Sequence, residues 1–307
     1  MIIKNLSTVI AIFFVCLLHA QYTDDINSNR PGESQGAFSV GKYVSQIEFG
    51  VIGINEKHAL LFTQAQGVYA DLNMRFGFIK EELELNLQVV YQADLYTTIL
   101  GSENRSALKK SIIGAKYLFY DPYKYRNDKP NLYSWKANNK FKWNQFIPAV
   151  AVYAGANLNF SDSFAFKNEP VISPKLILIA QNQFSSGFVL VTNIIADKFT
   201  TEFPSYGYIV TLTKGIGNRW SGFVENQGYM SDLYADSIVR GGATFLLSSD
   251  MQIDASLSTN FKNTPTILYG GMGVSWRFDK LHKVAKIKDR SGKKTKKSAQ
   301  AFISKSL

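Results

Sequence analysis

The chain has 307 residues, 46% of them hydrophobic and 19% charged. That balance excludes both a disordered chain and a bundle of membrane helices, and the length suits one large β-barrel without a second domain. Its 22 Phe, 16 Tyr and 4 Trp favour strands and membrane interfaces. The net charge of +10 would suggest nucleic acid if it were spread evenly. It is not: residues 280–307 hold ten Lys or Arg against Asp289 alone, and Lys4 supplies the remainder, so residues 21–279 are neutral overall. A neutral body with a basic tail argues against a nucleic-acid partner.

Residues 1–20 read as a cleaved secretory signal, with Lys4 in the n-region, an apolar run from Thr8 to Leu18 and Ala20 at the exit. The run is too short to span a bilayer as a helix. The single cysteine, Cys16, lies within it, so the remaining chain has no disulfide or thiol chemistry. A short periplasmic or lumenal segment, 21–42, follows.

From Tyr43 to Phe278 apolar and polar residues alternate in short runs broken by Gly, Asn, Asp and Ser, the mark of β-strands with one apolar face. Glu82 to Gln92 (ELELNLQVVYQ) is the clearest run. Twelve strands are predicted, near 43–53, 67–78, 82–93, 108–120, 147–158, 173–184, 187–198, 205–216, 219–229, 237–248, 251–260 and 267–278. Each is long enough for the ~9–11 residues that cross a bilayer at a tilt.

Loop lengths add parity. Connections after even strands are tight, as at Ile79-Lys80-Glu81 and Ser249-Asp250, whereas those after odd strands run longer, as at 54–66, 94–107 and 159–172. Bacterial outer-membrane barrels have this asymmetry, with the short turns in the periplasm. The exception is 121–146, a periplasmic insertion by parity. Aromatics near strand ends (Tyr43, Tyr69, Tyr91, Tyr117, Trp220, Trp276 and Phe278) resemble interface girdles. The expected fold is therefore all-β: a closed antiparallel transmembrane β-barrel of about twelve strands over 43–279, with a basic, disordered periplasmic tail over 280–307. A secreted β-sandwich also alternates, because its inner faces pack on each other. Strand number and parity favour the barrel, and with it the bacterial outer membrane.

Asn29-Arg30-Pro31-Gly32-Glu33-Ser34 leads into Gln46-Ile47-Glu48-Phe49-Gly50. Leu72-Asn73-Met74-Arg75-Phe76-Gly77, Gly114-Ala115-Lys116-Tyr117, Phe223-Val224-Glu225, Gln252-Ile253-Asp254 and Gly273-Val274-Ser275-Trp276-Arg277-Phe278 follow in order. Over roughly 28–279 this series resembles the family named after the meta-cleavage phenol-degradation pathway. The resemblance implies an outer-membrane barrel that passes small, often hydrophobic molecules. The 121–146 insertion and the 280–307 tail depart from its pattern, which leaves room for a structural or assembly role in an outer-membrane complex.

If apolar faces meet lipid, alternation turns Glu48, Asp71, Arg75, Glu82, Glu84, Lys116, Glu225, Arg240, Asp254 and Arg277 into the lumen. Such groups either fill a narrow barrel by cross-linking its walls or line a selective path. Arg75, Glu84 and Lys116, on neighbouring strands, are expected in one network. Arg30, with Pro31 and Gly32, either folds into the lumen to pair with a carboxylate such as Glu48 or belongs to a solvated periplasmic arm.

An enzyme is not expected, because after the signal only His58 and His282 remain, neither on a strand. No cofactor or metal is expected; Glu225, Asp232 and Asp236 could hold calcium but read better as a solvated loop. Expected partners are outer-membrane lipid and, through the tail, a periplasmic protein or peptidoglycan. The sequence leaves the oligomeric state undetermined.

Overall fold

The computed structural model describes residues 25–123, 143–161, 163–165, 168–184, 187–279 and 282. The expected signal, most of the 121–146 insertion and the tail apart from His282 lie outside the described residues.

Alternation becomes a wall. Twelve antiparallel strands run in chain order: β1 Ser45–His58, β2 Thr63–Gly77, β3 Leu83–Thr98, β4 Gly101–Tyr120, β5 Ala149–Leu158, β6 Ile172–Gln183, β7 Phe188–Asp197, β8 Ser205–Ile216, β9 Trp220–Ser231, β10 Ala235–Ser248, β11 Met251–Asn260 and β12 Thr266–Phe278. Each pairs with its neighbours in sequence, and β12 returns to β1, with Glu48 opposite Ser275 and Phe49 opposite Val274. Closure removes the sheet edge around the barrel, and the outer part of β4, before Ile112, pairs on one side alone, with β3.

One face of each strand suits lipid. On β1, Ile47, Phe49 and Val51 are exposed while Gln46, Glu48 and Ile52 are buried; on β3, Leu85, Tyr91 and Leu95 are exposed while Glu84, Asn86 and Gln92 are buried. Shifting either strand by one residue would exchange these sets, so the apolar belt fixes the register. Paired rings gather toward the even-turn end: Tyr117 with Phe119 at 4.9 Å, Trp220 with Phe245 at 4.8 Å and Trp276 with Phe278 at 4.5 Å between centroids. Tyr69 is not among them. It lies an even number of residues from Arg75 on an unbulged strand and faces the lumen, edge-on to Tyr269.

Two expected external loops are corrected. The 54–66 connection shrinks to 59–62 and the 94–107 connection to 99–100, because β1 to β4 continue past the residues in which alternation is legible. Above the lipid an outward position no longer has to be apolar, so the sequence signal fades while the hydrogen-bonded ladder continues. At the other end β1 starts at Ser45 rather than 43, since Gly41 (φ 96°) and Tyr43 (φ 60°) turn the chain into the wall through left-handed conformations.

The interior is filled from within. Ile26, Ala37, Phe38, Val40 and Val44, all before the first strand, are buried. Phe38 and Ala37 pack against Ile112, Leu118, Ala151, Tyr153 and Ile179 from the inner faces of β4 to β6. This apolar patch inside the barrel is a seat for the N-terminal segment.

Candidate functional site

Residues 25–44 cross the lumen without forming a strand, so their backbone donors and acceptors need other partners. The wall supplies them as side chains. The segment enters beside the β10–β11 turn, where the Ile26 amide donates to Ser249 O at 2.7 Å. Ser28 and Ser275 hydroxyls meet at 2.7 Å. The Glu33 amide donates to both Glu225 oxygens at 3.1 Å, and the Ser34 amide to Oε2 at 3.3 Å. Gln35 exchanges two hydrogen bonds with the Asn193 side chain, its amide donating to Oδ1 at 2.6 Å and its carbonyl accepting from Nδ2 at 2.9 Å. Ala37 donates to Gln181, Val40 to Glu84 and Lys42 to Glu81. Lys116 Nζ donates to the carbonyls of Gly36 and Phe38 at 2.9 and 3.0 Å.

The Arg-Pro-Gly box sits at the deepest part of this path. Arg30 forks onto Asp254, Nη2 to Oδ1 at 3.1 Å and Nε to Oδ2 at 3.3 Å, with Asp71 at 3.9 Å. Its partner is thus Asp254; Glu48 instead accepts from the Asn29 amide at 3.3 Å. Burial works against the Arg30 charge, but Asp254, Asp71 and Glu48 outweigh it and raise its pKa. The guanidinium lies over Gly50 and Gly273, paired across β1 and β12, and a Cβ at either would overlap it. At Gly32 a Cβ would stand 2.6 Å from Glu225 Oε2, so the box combines a charge with a residue that permits close approach.

Three charge clusters hold the segment. In the first, Arg75 donates through Nε and Nη2 to Glu84, each at 2.9 Å, and through Nη1 to Glu48 at 3.2 Å; Lys116 adds a 3.2 Å bridge to Glu84. Arg75 also donates to Asn27 O at 2.6 Å and Phe38 O at 3.4 Å. In the second, Glu225 takes Arg240 and the Thr211 hydroxyl, while Arg240 Nε reaches Ser258 at 3.1 Å. Arg30, Asp71 and Asp254 form the third. Glu82 is buried just before β3, and Arg277 pairs at the rim with Asp250 at 2.6 Å, so neither joins these clusters.

The wall also carries functional groups outside the sequence-derived set. Lys110 shares the parity of Lys116 and was accessible to the same argument, whereas Arg105 was not. A register shift between Val90 and Tyr91 marks a bulge in the β3–β4 ladder, which returns Arg105 to the inner face, bound to Asp94 at 2.9 Å through two nitrogens. Lys175 lies in KLILIAQ, apolar on both faces, and bridges to Asp197 at 3.2 Å. Glu33 extends from the segment itself; burial raises its pKa, but Arg240, Lys110, Arg30 and Lys175 outweigh burial and lower it.

Of the carboxylates considered for calcium, Glu225 is committed to Arg240, and Asp236 accepts from Tyr234 and Asn260. Among the described residues no group of His, Cys, Asp and Glu is arranged for a metal. His58 caps its own turn by accepting from the Leu61 amide at 3.2 Å, and His282 Nδ1 lies 2.8 Å from Lys42 O.

The barrel has structural counterparts. The crystal structure of an outer membrane channel from Pseudomonas putida F1 aligns over 83% of this chain and 100% of its own, with a TM-score of 0.53 and 11% identity. The translocator domain of autotransporter NalP from Neisseria meningitidis aligns over 78% and 89%, at 0.46 and 9%. A KdgM porin aligns over 75% and 99%, at 0.42 and 9%. At these identities the likeness is one of fold, that of an outer-membrane β-barrel. No curated protein matches the chain in sequence. The model of the family described as MetA-pathway of phenol degradation matches residues 28–278, from just before the Arg-Pro-Gly box to the last residue of β12, and the chain belongs to that family.

Proposed function

We propose that this protein is an outer-membrane channel for small molecules, not an enzyme, and that its own N-terminal segment closes the lumen and must shift for passage. The observation that carries this reading is the way residues 25–44 are held. Their backbone groups are bonded to wall side chains such as Glu225, Asn193 and Glu84, beside an apolar seat around Ala37 and Phe38. Neutral hydrogen bonds such as those to Gln181 and Asn193 can be exchanged for water at about 0.5–1.5 kcal/mol each, while the bonds to charged side chains hold the segment more firmly. A segment meant only to fill the barrel would be anchored by apolar burial. The exposed apolar belt and aromatic rim support residence in the outer membrane. The family description supports cargo that includes hydrophobic molecules.

Single-channel recording in planar bilayers tests the proposal. The full chain is expected to give small, brief openings, and a chain lacking residues 25–40 a large, steady conductance. A truncated barrel that never conducts would overturn the channel reading.

A further inference from the structure

Above the inner segment the lumen keeps a cavity of about 80 Å³, against the ~10–15 Å³ one water needs. Its chemistry is divided. One wall is apolar, made by Ile112, Tyr153, Ile177, Ile195 and Ile209 from β4 to β8. Two residues toward the odd-turn end from Ile112 and Ile177, on the same faces, stand Lys110 and Lys175. Two ammonium groups therefore crown an apolar wall, on strands separated only by β5. Lys175 is shared with Asp197, but Lys110 has no ion pair among the described residues. Among the carboxylates that share the cavity with them are Asp71 on β2, which also faces Arg30 at 3.9 Å, and Glu33, which makes no side-chain ion pair among the described residues and belongs to the movable segment.

Building on the channel reading, we propose that this cavity binds a small organic monocarboxylate with a branched or ring-shaped apolar body. The body lies on the isoleucine wall, and the carboxylate replaces Glu33 as the counter-charge of Lys110 and Lys175. The polarity follows from which charges are fixed. On the wall Glu225 is paired with Arg240 and Glu48 with Arg75, while Asp254 and Asp71 share Arg30 of the segment. Lys110 makes no salt bridge among the described residues and meets Asp71 of the wall and Glu33 of the segment only at longer range, so a carboxylate seated beside it gains a direct counter-charge. An entering carboxylate competes with the Glu33 side chain for Lys110 and Lys175, while Arg30 stays on Asp254 and Asp71.

The test is calorimetric titration of the full-length protein in neutral detergent with isovalerate, isoamylamine and isoamyl alcohol, which share one body and differ in the head group. Isovalerate is expected to bind saturably, and the amine and alcohol about tenfold more weakly or worse. Lys110→Met should weaken isovalerate by about tenfold, and Glu33→Gln, which removes the competing charge, should strengthen it. Amine or alcohol binding as tightly as the acid on the unaltered protein, or unchanged isovalerate binding by Lys110→Met, would overturn the proposal. Binding is read without transport, so a protein that binds isovalerate but does not conduct would count against the channel and not against this site.

Discussion

Replacing Arg75 by alanine is expected to cost about 3–5 kcal/mol of barrel stability, the loss typical of breaking a buried ion pair on one side. Arg75, Glu48 and Glu84 are all within 1% of full burial, and Arg75 bridges β1 to β3 through both carboxylates. Lys116 still reaches Glu84 in the variant, but Glu48 is left with the neutral amides of Asn29 and Gln46. Two carbonyls of the inner segment, Asn27 and Phe38, lose a donor as well. Unfolding on heating in detergent, read as the temperature at which the compact gel form disappears, should fall well below that of the unaltered protein. Leu85→Val, on the lipid face, should change it little.

Glu225→Ala is expected to loosen the segment as well as to break the ion pair between β9 and β10. Glu225 is fully buried and receives the Glu33 and Ser34 amides, the Thr211 hydroxyl and Arg240. Its loss strands two amides and one guanidinium around a single missing side chain, a combined effect of several kcal/mol on docking. The strand ladder does not pass through these bonds. Backbone amides 33–36 should exchange with solvent deuterium much faster than other amides of the segment, beyond any general loss of barrel stability. Slow exchange at 33–36 in this variant would mean that Glu225 is not an anchor.

Much of this was legible in the sequence, for an identifiable reason. Lipid demands an apolar residue at every second position within the bilayer, so β1, β3 and β11 carry their inward charges in plain alternation, and Glu48, Glu84 and Asp254 follow from counting by two. Counting fails where that demand is absent or the count is interrupted. The outer ends of β1 to β4 lie above the lipid and read as loops. Arg105 falls on the wrong face until the bulge beside Tyr91 is included. Lys175 and Ile177 lie in a stretch apolar on both sides, since the inner face of β4 to β6 is the seat of Phe38. The Arg-Pro-Gly box could be picked out as a motif, but its partner could not. Arg30 and Asp254 are 224 residues apart, and no local rule connects them.

The proposed closure requires residues 25–44 to lie inside the lumen and block it, and a reversible cross-link tests this directly. Ser28 and Ser275 hydroxyls are 2.7 Å apart, joining the segment to β12, and the chain's single cysteine is Cys16. Cysteines at 28 and 275, with Cys16 replaced by serine, should form a disulfide under mild oxidation. The oxidised protein should stay closed in bilayer recordings, and reductant should restore the openings of the unaltered chain. Failure of the two cysteines to join in the folded barrel, or a cross-linked protein that conducts as well as the reduced one, would contradict the account.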